Sequence, residues 1–189
     1  MKKTLLFIFV FLGILFVRAQ DKDWSIEINY PVSINDDFGS SNQGTIGAGL
    51  KYRFAYLGKF RLGASLDGTW FATTITNDSD PIQEFDYRDF FLQPRIFAEL
   101  PISSNNKLLL SGGIGWTWSR SVEESSFFNE QGQIQGGLDW YNGPNLNLGL
   151  AYDLSPRFYI NTQFDLIILS GNFSDRTIGL IKLGGGFRF

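Results

Sequence analysis

Eleven charged side chains recur at alternate positions of otherwise apolar stretches: Glu27, Lys51, Arg53, Arg61, Asp67, Arg95, Glu99, Asp153, Asp165, Lys182 and Arg188. Three chemistries are open to such a set. Two carboxylates about 5 Å apart can act as an acid–base or nucleophilic pair in a substrate cleft. A row of charges can line an ion pathway. Opposite charges can also pair off and fill space. The chain contains no His and no Cys, so thiol catalysis, disulfides and iron–sulfur clusters are excluded, and the commonest general base and metal ligand are missing. No catalytic residue, cofactor site or metal site is assigned on these grounds.

The stretches that position these charges alternate with a period of two. From Trp24, the even positions are Trp24, Ile26, Ile28, Tyr30, Val32 and Ile34, against Ser25, Glu27, Asn29, Pro31 and Ser33. Later stretches set Leu50, Tyr52 and Phe54 against Lys51 and Arg53, and Leu62, Ala64 and Leu66 against Arg61, Ser65 and Asp67. The parity flips in the last one, where Ile181, Leu183, Phe187 and Phe189 oppose Lys182 and Arg188. Eight such stretches predict strands rather than helices. Their apolar face carries no charge, as a membrane barrel requires. Phe164 is therefore expected outside and Gln163 inside. Glycines such as Gly47, Gly49, Gly63, Gly115, Gly184 and Gly186 join the charged face and are expected to make room for long Arg side chains.

Connections alternate in length. Residues 55–59, 101–107 and 155–157 form short turns, whereas 35–43, 73–88 and 120–143 are longer and polar. Short turns at one end and long loops at the other are an outer-membrane signature. An even strand number places both termini at the short-turn, periplasmic end. Aromatics sort into two belts, Trp24, Tyr52, Phe54, Phe60, Tyr152, Phe158, Phe187 and Phe189 at one end and Trp70, Phe90, Trp116 and Trp118 at the other. Pro94 falls inside the fourth strand, where a bulge is expected. Residues 134–138 are able to prolong the fifth and sixth strands.

Residues 1–19 read as a secretory signal peptide: Lys2 and Lys3, an apolar run from Leu5 to Val17, and cleavage after Ala19. A 13-residue helix spans roughly 20 Å, short of a hydrocarbon core of about 30 Å. Residues 20–189 then form one barrel domain. Losing Lys2, Lys3 and Arg18 leaves 13 basic against 19 acidic groups, a net charge of −6, which disfavours nucleic acid. The longest later apolar run is Leu166 to Leu169, so membrane entry requires a closed barrel. Apolar residues at 43% and 21 Gly against 6 Pro exclude a disordered chain or a helical bundle.

The leader, the eight alternating strands and the closing Gly185-Gly186-Phe187-Arg188-Phe189 resemble the small outer-membrane β-barrel family that includes the OmpA transmembrane domain and OmpX. The resemblance implies an eight-stranded antiparallel up-and-down transmembrane barrel, monomeric, in the outer membrane of a Gram-negative bacterium. Outer-membrane lipid and lipopolysaccharide would surround it, and Phe187 and Phe189 would be read by the barrel-assembly machinery. Barrels of similar fold that modify lipid A use His, which this chain lacks, so an enzyme is not expected. No peptidoglycan-binding domain and no wall-anchoring role are inferred.

If each hairpin pairs symmetrically about its loop, Glu27 faces Lys51, Arg61 faces Glu99 and Asp165 faces Lys182, while Arg53 faces Arg61. Six bases and five acids nearly cancel, and with Phe91 and Phe97 pointing inward the lumen reads as a bonded plug. The expected function is structural or surface-interacting. Alternatives are a soluble lipocalin-like carrier with its apolar face inward, a small gated pore, or an accessory subunit of an outer-membrane transport or secretion assembly. The outer loops are acidic: Asp36, Asp37, Asp78, Asp80, Glu84, Asp86, Glu123, Glu124, Glu130, Asp139 and Asp175 outnumber Arg88, Arg120 and Arg176. This reads as a solvated rim rather than a Ca²⁺ loop. The loop aromatics Phe127, Phe128, Trp140 and Tyr141 are able to bind a partner or to cover the barrel mouth.

Overall fold

Each alternating stretch forms a strand hydrogen-bonded to its neighbours in sequence. The computed structural model describes residues 23–34, 38, 44–77, 83–128, 134–171 and 175–189. The expected signal peptide, its Ala19 site and the loop acids Asp36, Asp37, Asp78, Asp80 and Glu130 lie outside the described residues. The strands are β1 (Trp24–Ser33), β2 (Gly44–Leu57), β3 (Phe60–Asn77), β4 (Gln83–Pro101), β5 (Leu108–Phe128), β6 (Ile134–Asp153), β7 (Phe158–Gly171) and β8 (Arg176–Arg188). All pairs are antiparallel, and β1 closes on β8 from Ser25↔Arg188 to Ser33↔Leu180. The all-β, eight-stranded up-and-down barrel expected from the alternation is the fold.

The register fixes the strand tilt. One row of partners runs Arg188, Ser25, Lys51, Ser65, Arg95, Gly115, Asn145, Ile167 and back to β8 at Ile178. The displacement is ten residues (188 less 178), which for eight strands corresponds to a tilt of about 40°. Short turns close one rim. The β2–β3 turn is only Gly58-Lys59, with Gly58 at φ 62°, a left-handed conformation that glycine adopts without penalty. The β4–β5 turn places Asn106 at φ 55°, and Ser103 Oγ accepts from the Leu108 amide at 2.9 Å. The Phe189 amide donates to the Trp24 carbonyl at 3.0 Å, so both described chain ends sit at this rim.

Two expectations about the strands need correction. The stretches 73–88 and 120–143 are largely strand rather than loop: β3 and β4 pair out to Asn77↔Gln83, and β5 and β6 out to Phe128↔Ile134, so that residues 134–138 do prolong the sixth strand as their pattern allowed. Ladder bonds continue there, but beyond the apolar band water reaches both faces, so the period-two signal fades. Among the described residues, β2 starts opposite Phe71 and β7 ends opposite Tyr141. Residues 72–77 of β3 and 134–140 of β6 therefore have a strand neighbour on one side only. A four-stranded wall stands above the rim. Pro94 makes no bulge. It pairs with Leu66 of β3, and β5 keeps one register across it, Leu92↔Trp118 and Arg95↔Gly115. The missing N–H opens a gap toward β5 alone. Pro144 in β6 does the same toward β7, between Asn142↔Ser170 and Asn145↔Ile167.

Burial is inverted relative to a water-soluble domain. Glu27, Lys51, Arg53, Asp67, Arg95, Glu99, Asp165, Lys182 and Arg188 are buried, while Ile28, Ile114 and Leu148 are 62%, 65% and 61% exposed. Gln163 is buried and Phe164 lies on the outward face. A lipocalin-like carrier requires the reverse arrangement and does not fit. The outward aromatics form two belts. From Phe60 to Trp70 along β3, the tilted strand climbs about 25 Å, the height of a lipid-facing barrel band.

Candidate functional site

The lumen brings the charged side chains together in tiers. Nearest the short turns, Arg188 Nη1 meets Asp153 at 2.6 Å, and its guanidinium lies 4.2 Å from the centre of the Tyr159 ring. Beside it Arg53 donates twice to Glu99, from Nε at 2.7 Å and Nη2 at 2.9 Å, and once to Ser25 Oγ at 3.2 Å. This two-pronged geometry is the strongest form of the Arg–carboxylate contact. Above it Glu27 accepts from Lys51 Nζ at 2.8 Å, the Tyr159 hydroxyl at 2.7 Å and Gln163 Nε2 at 2.8 Å.

A larger cluster follows. Asp165 accepts from Arg95 at 2.7 Å, Lys182 at 2.7 Å and Asn147 at 2.6 Å. Arg95 also reaches Asn145 at 2.8 Å and Asp67 at 3.4 Å, and Lys182 donates to Gln93 at 2.9 Å. Gln163 links the tiers, because its carbonyl oxygen accepts from Asn147 at 3.2 Å while its amide nitrogen donates to Glu27. Five bases and five acids are joined in this way.

The expected pairs form in part. Glu27–Lys51 and Asp165–Lys182 exist, but diagonally: the Cα partners are Glu27↔Gly49 and Gln163↔Lys182. Gly49 has no side chain to stand between Glu27 and Lys51. Arg61 does lie opposite Glu99 in register, yet that carboxylate turns to Arg53. The expected Arg53–Arg61 pair does not occur, since a register shift between Arg53 and Ala55 sets Arg53 opposite Gly63 and Arg61 opposite Tyr56. Arg61 stays half-buried at the rim. Room for arginine explains only Gly115, where a Cβ would stand 2.6 Å from Arg95 Cγ. At Gly47, Gly49, Gly63 and Gly186 the space goes to Asn29, Asp67, Phe97 and Tyr159.

Some lumen residues escaped sequence reasoning. Thr117, Asn145, Asn147 and Tyr159 are uncharged, but their odd numbers on β5 to β7 were a sufficient signal. Toward the outer rim the lumen turns apolar: Phe71, Phe91, Tyr141, Ile167, Leu169, Ile178 and Leu180 pack with Phe38. The Phe38 ring meets Phe71 edge-on at 5.2 Å. Nothing in the sequence marked Phe38, and Ile167 and Leu169 are hidden in the apolar run Leu166–Leu169.

A cavity of about 10 Å³ remains in the lower lumen, lined by Glu27, Lys51, Glu99, Asn161 and Gln163 among others, the size of one water. Both side-chain polar atoms of Asn161 are buried there without a protein partner, which suits a bound water. Among the described residues, no group of three or more Asp, Glu, His or Cys is placed to hold a metal ion. No helix among them is long and apolar enough to cross a membrane.

The barrel is similar to the crystal structure of Ail, the attachment invasion locus protein of Yersinia pestis, in complex with the heparin analogue sucrose octasulfate. That similarity has a TM-score of 0.53 at 19% identity and covers 88% of this chain and 97% of that one. A second crystal structure of Ail gives 0.54 at 18% identity with the same coverage. Neisserial surface protein A gives 0.52 at 11% identity, covering 87% of this chain and 94% of that one. No family model matches the sequence, and no curated protein matches it. At these identities the shared property is the fold, that of small eight-stranded outer-membrane barrels.

Proposed function

We propose that this chain is a non-enzymatic outer-membrane barrel of a Gram-negative bacterium, with a plugged lumen, both termini periplasmic, and a surface-interaction role. The observation that carries the reading is the inversion of burial: a charged, paired interior inside an uncharged apolar band about 25 Å tall between two aromatic belts. Ion pairs in tiers, capped by an apolar cluster, support a lumen closed to ions. The acids of the tiers are engaged by Arg, Lys, Tyr, Gln and Asn donors and, among the described residues, face no substrate cleft, which supports a structural rather than a catalytic part for them. The terminal aromatics Phe187 and Phe189, with ring centres 6.2 Å apart, suit recognition by the barrel-assembly machinery. The barrel stands as a monomer in lipid and lipopolysaccharide.

A surface role rests on the four-stranded wall, whose edges at 72–77 and 134–140 offer backbone donors and acceptors to a partner strand. Its exposed Asp139-bearing strand and the acids at Asp86 and Glu123 favour a basic or neutral partner over a sulfated one. Fractionation of cells expressing the full chain, followed by planar-bilayer recording of the purified protein, tests the reading. Recovery in the outer membrane with little steady conductance is expected. Recovery in a soluble fraction overturns the location, and a large stable current overturns the plug.

A further inference from the structure

One buried acid stands apart from the tiers. Glu27, Asp67, Glu99, Asp153 and Asp165 each have a Lys or Arg nitrogen within 3.4 Å. Asp89 is only 4% exposed, yet among the described residues no base forms an ion pair with it. The Ser121 hydroxyl donates to it, and the cation that acts on it from a distance is Arg176. That guanidinium lies instead 4.9 Å from the centre of the Tyr141 ring. The chain holds no other base for this acid at the outer end. The connections 35–43, 78–82, 129–133 and 172–174 contain no Lys or Arg, and Arg88 and Arg120 occupy outward, exposed positions. The register sets Asp89 beside the apolar cap: it pairs with Phe71 and precedes Phe91 by two residues on the same inward face. Seven cap residues sit on strands, and Phe38 belongs to none of the eight. The seven form a cup, and Phe38 fills it with a ring 5.2 Å from that of Phe71 and 5.7 Å from that of Phe91.

We propose that the outer mouth binds a small arylalkylammonium ion, its ring in the cup where Phe38 lies and its ammonium on Asp89. A buried carboxylate without a counter-charge is costly, and an ammonium brings that charge together with three donors. The aromatic surroundings favour the same ligand, because rings attract cations to their faces. Arg176 on Tyr141 shows that this mouth accepts a cation in that way. The spacing calls for a short link between ring and nitrogen. Two residues along a strand cover about 7 Å, the step from Phe91 to Asp89. An anion is repelled by Asp89, and an uncharged hydrophobe leaves the carboxylate as it was. Phe38 is the stand-in for the ligand ring, so binding exchanges one ring for another and leaves the cup filled in both states. The inference adds a ligand to the mouth and needs the barrel alone, whatever its location in the cell.

The test follows the backbone amides of Phe71, Phe91 and Ser121 by NMR in the whole barrel, refolded in neutral micelles. The probes are 2-phenylethylammonium and the uncharged 2-phenylethanol, titrated separately. Wild type is expected to show saturable shifts at these amides. It should bind the ammonium roughly tenfold to hundredfold more tightly than the alcohol, the range for a hydrogen bond to a charged group. In Asp89→Asn the two probes should bind alike, and Phe38→Ala should bind both more tightly than wild type does. Equal affinities in wild type, or no saturable shift at millimolar probe, overturn the proposal. A preference for the ammonium that survives Asp89→Asn overturns it as well. Binding by Phe38→Ala alone marks an engineered cavity and overturns the site in the native protein. The wild-type comparison needs neither variant to fold, so it decides the question by itself.

Discussion

Replacing Asp165 with Asn tests whether the lumen is held by ion pairs. Asp165 is wholly buried and receives two cations, Arg95 and Lys182, each at 2.7 Å, plus Asn147 at 2.6 Å. Asn keeps the volume but removes the charge, and its amide group turns one acceptor into a donor. Arg95 then keeps its 2.8 Å bond to Asn145 but has only Asp67, at 3.4 Å, as a carboxylate partner, and Lys182 keeps only Gln93 among its hydrogen-bond partners. Breaking a buried pair costs about 3–5 kcal/mol, and two cations are stranded together here. Water is a poor remedy, because Phe38, Phe71 and Phe91 seal the outer side. Urea unfolding of the barrel in phosphatidylcholine vesicles should show a loss of at least about 3 kcal/mol. The double variant Asp165→Asn/Lys182→Met should recover at least about 1 kcal/mol of that loss, since contacting sites couple. A loss below about 1 kcal/mol, or strict additivity, would refute the argument that these charges are dry and mutually dependent.

Other perturbations separate faces and ends. Phe164→Arg puts a charge in the apolar band and should cost about 2–4 kcal/mol of folding stability in bilayers; Gln163→Arg, in the lumen beside Glu27, should cost less, and the same unfolding assay compares them. Deleting Phe189 should lower the folded protein in the outer membrane and raise unfolded protein in the periplasm, read by fractionation and protease sensitivity. Lys51→Ala strands the Glu27 carboxylate between Tyr159 and Gln163, so it should destabilise the barrel and produce intermittent openings in a planar bilayer where wild type stays silent.

The strands were legible because one face must satisfy an apolar surround and the other a polar interior, so Trp24 to Ile34 could alternate in only one sense. Charge pairs were half legible. Parity placed Glu27, Lys51, Asp165 and Lys182 inside, but which atoms meet depends on what stands between them. Gly49 opens the diagonal from Glu27 to Lys51, and the irregularity after Arg53 moves that side chain away from Arg61. Hairpin symmetry contains neither effect. Of the apolar cap, Phe91 was legible as inward and Tyr141 as one candidate cover of the mouth, and the rest was illegible for a different reason. Ile167 and Leu169 sit among Leu166 and Ile168, so hydropathy there carries no parity, and Phe38 belongs to none of the alternating stretches. The height of the β3–β6 wall was hidden because ladder bonds, unlike side-chain burial, leave no trace in the order of residue types.

The glycine at position 186 has a consequence for how the ring is made. Seven of the eight strand pairs are hairpins, whose partners meet after a short search. The eighth, β1 with β8, joins residues such as Ile26 and Phe187 from opposite ends of the chain. Closing a loop some ten times longer costs about 2 kcal/mol more in chain entropy. Because Gly186 leaves a gap in β8, the Tyr159 ring of β7 reaches over it to Glu27 of β1, and Gln163 of β7 bonds the same carboxylate, contacts that span 132 and 136 residues. Those two hydrogen bonds are out of reach until the seam has formed. They act as a latch, and they tie the closing of the ring to the same carboxylate that anchors the middle of the lumen.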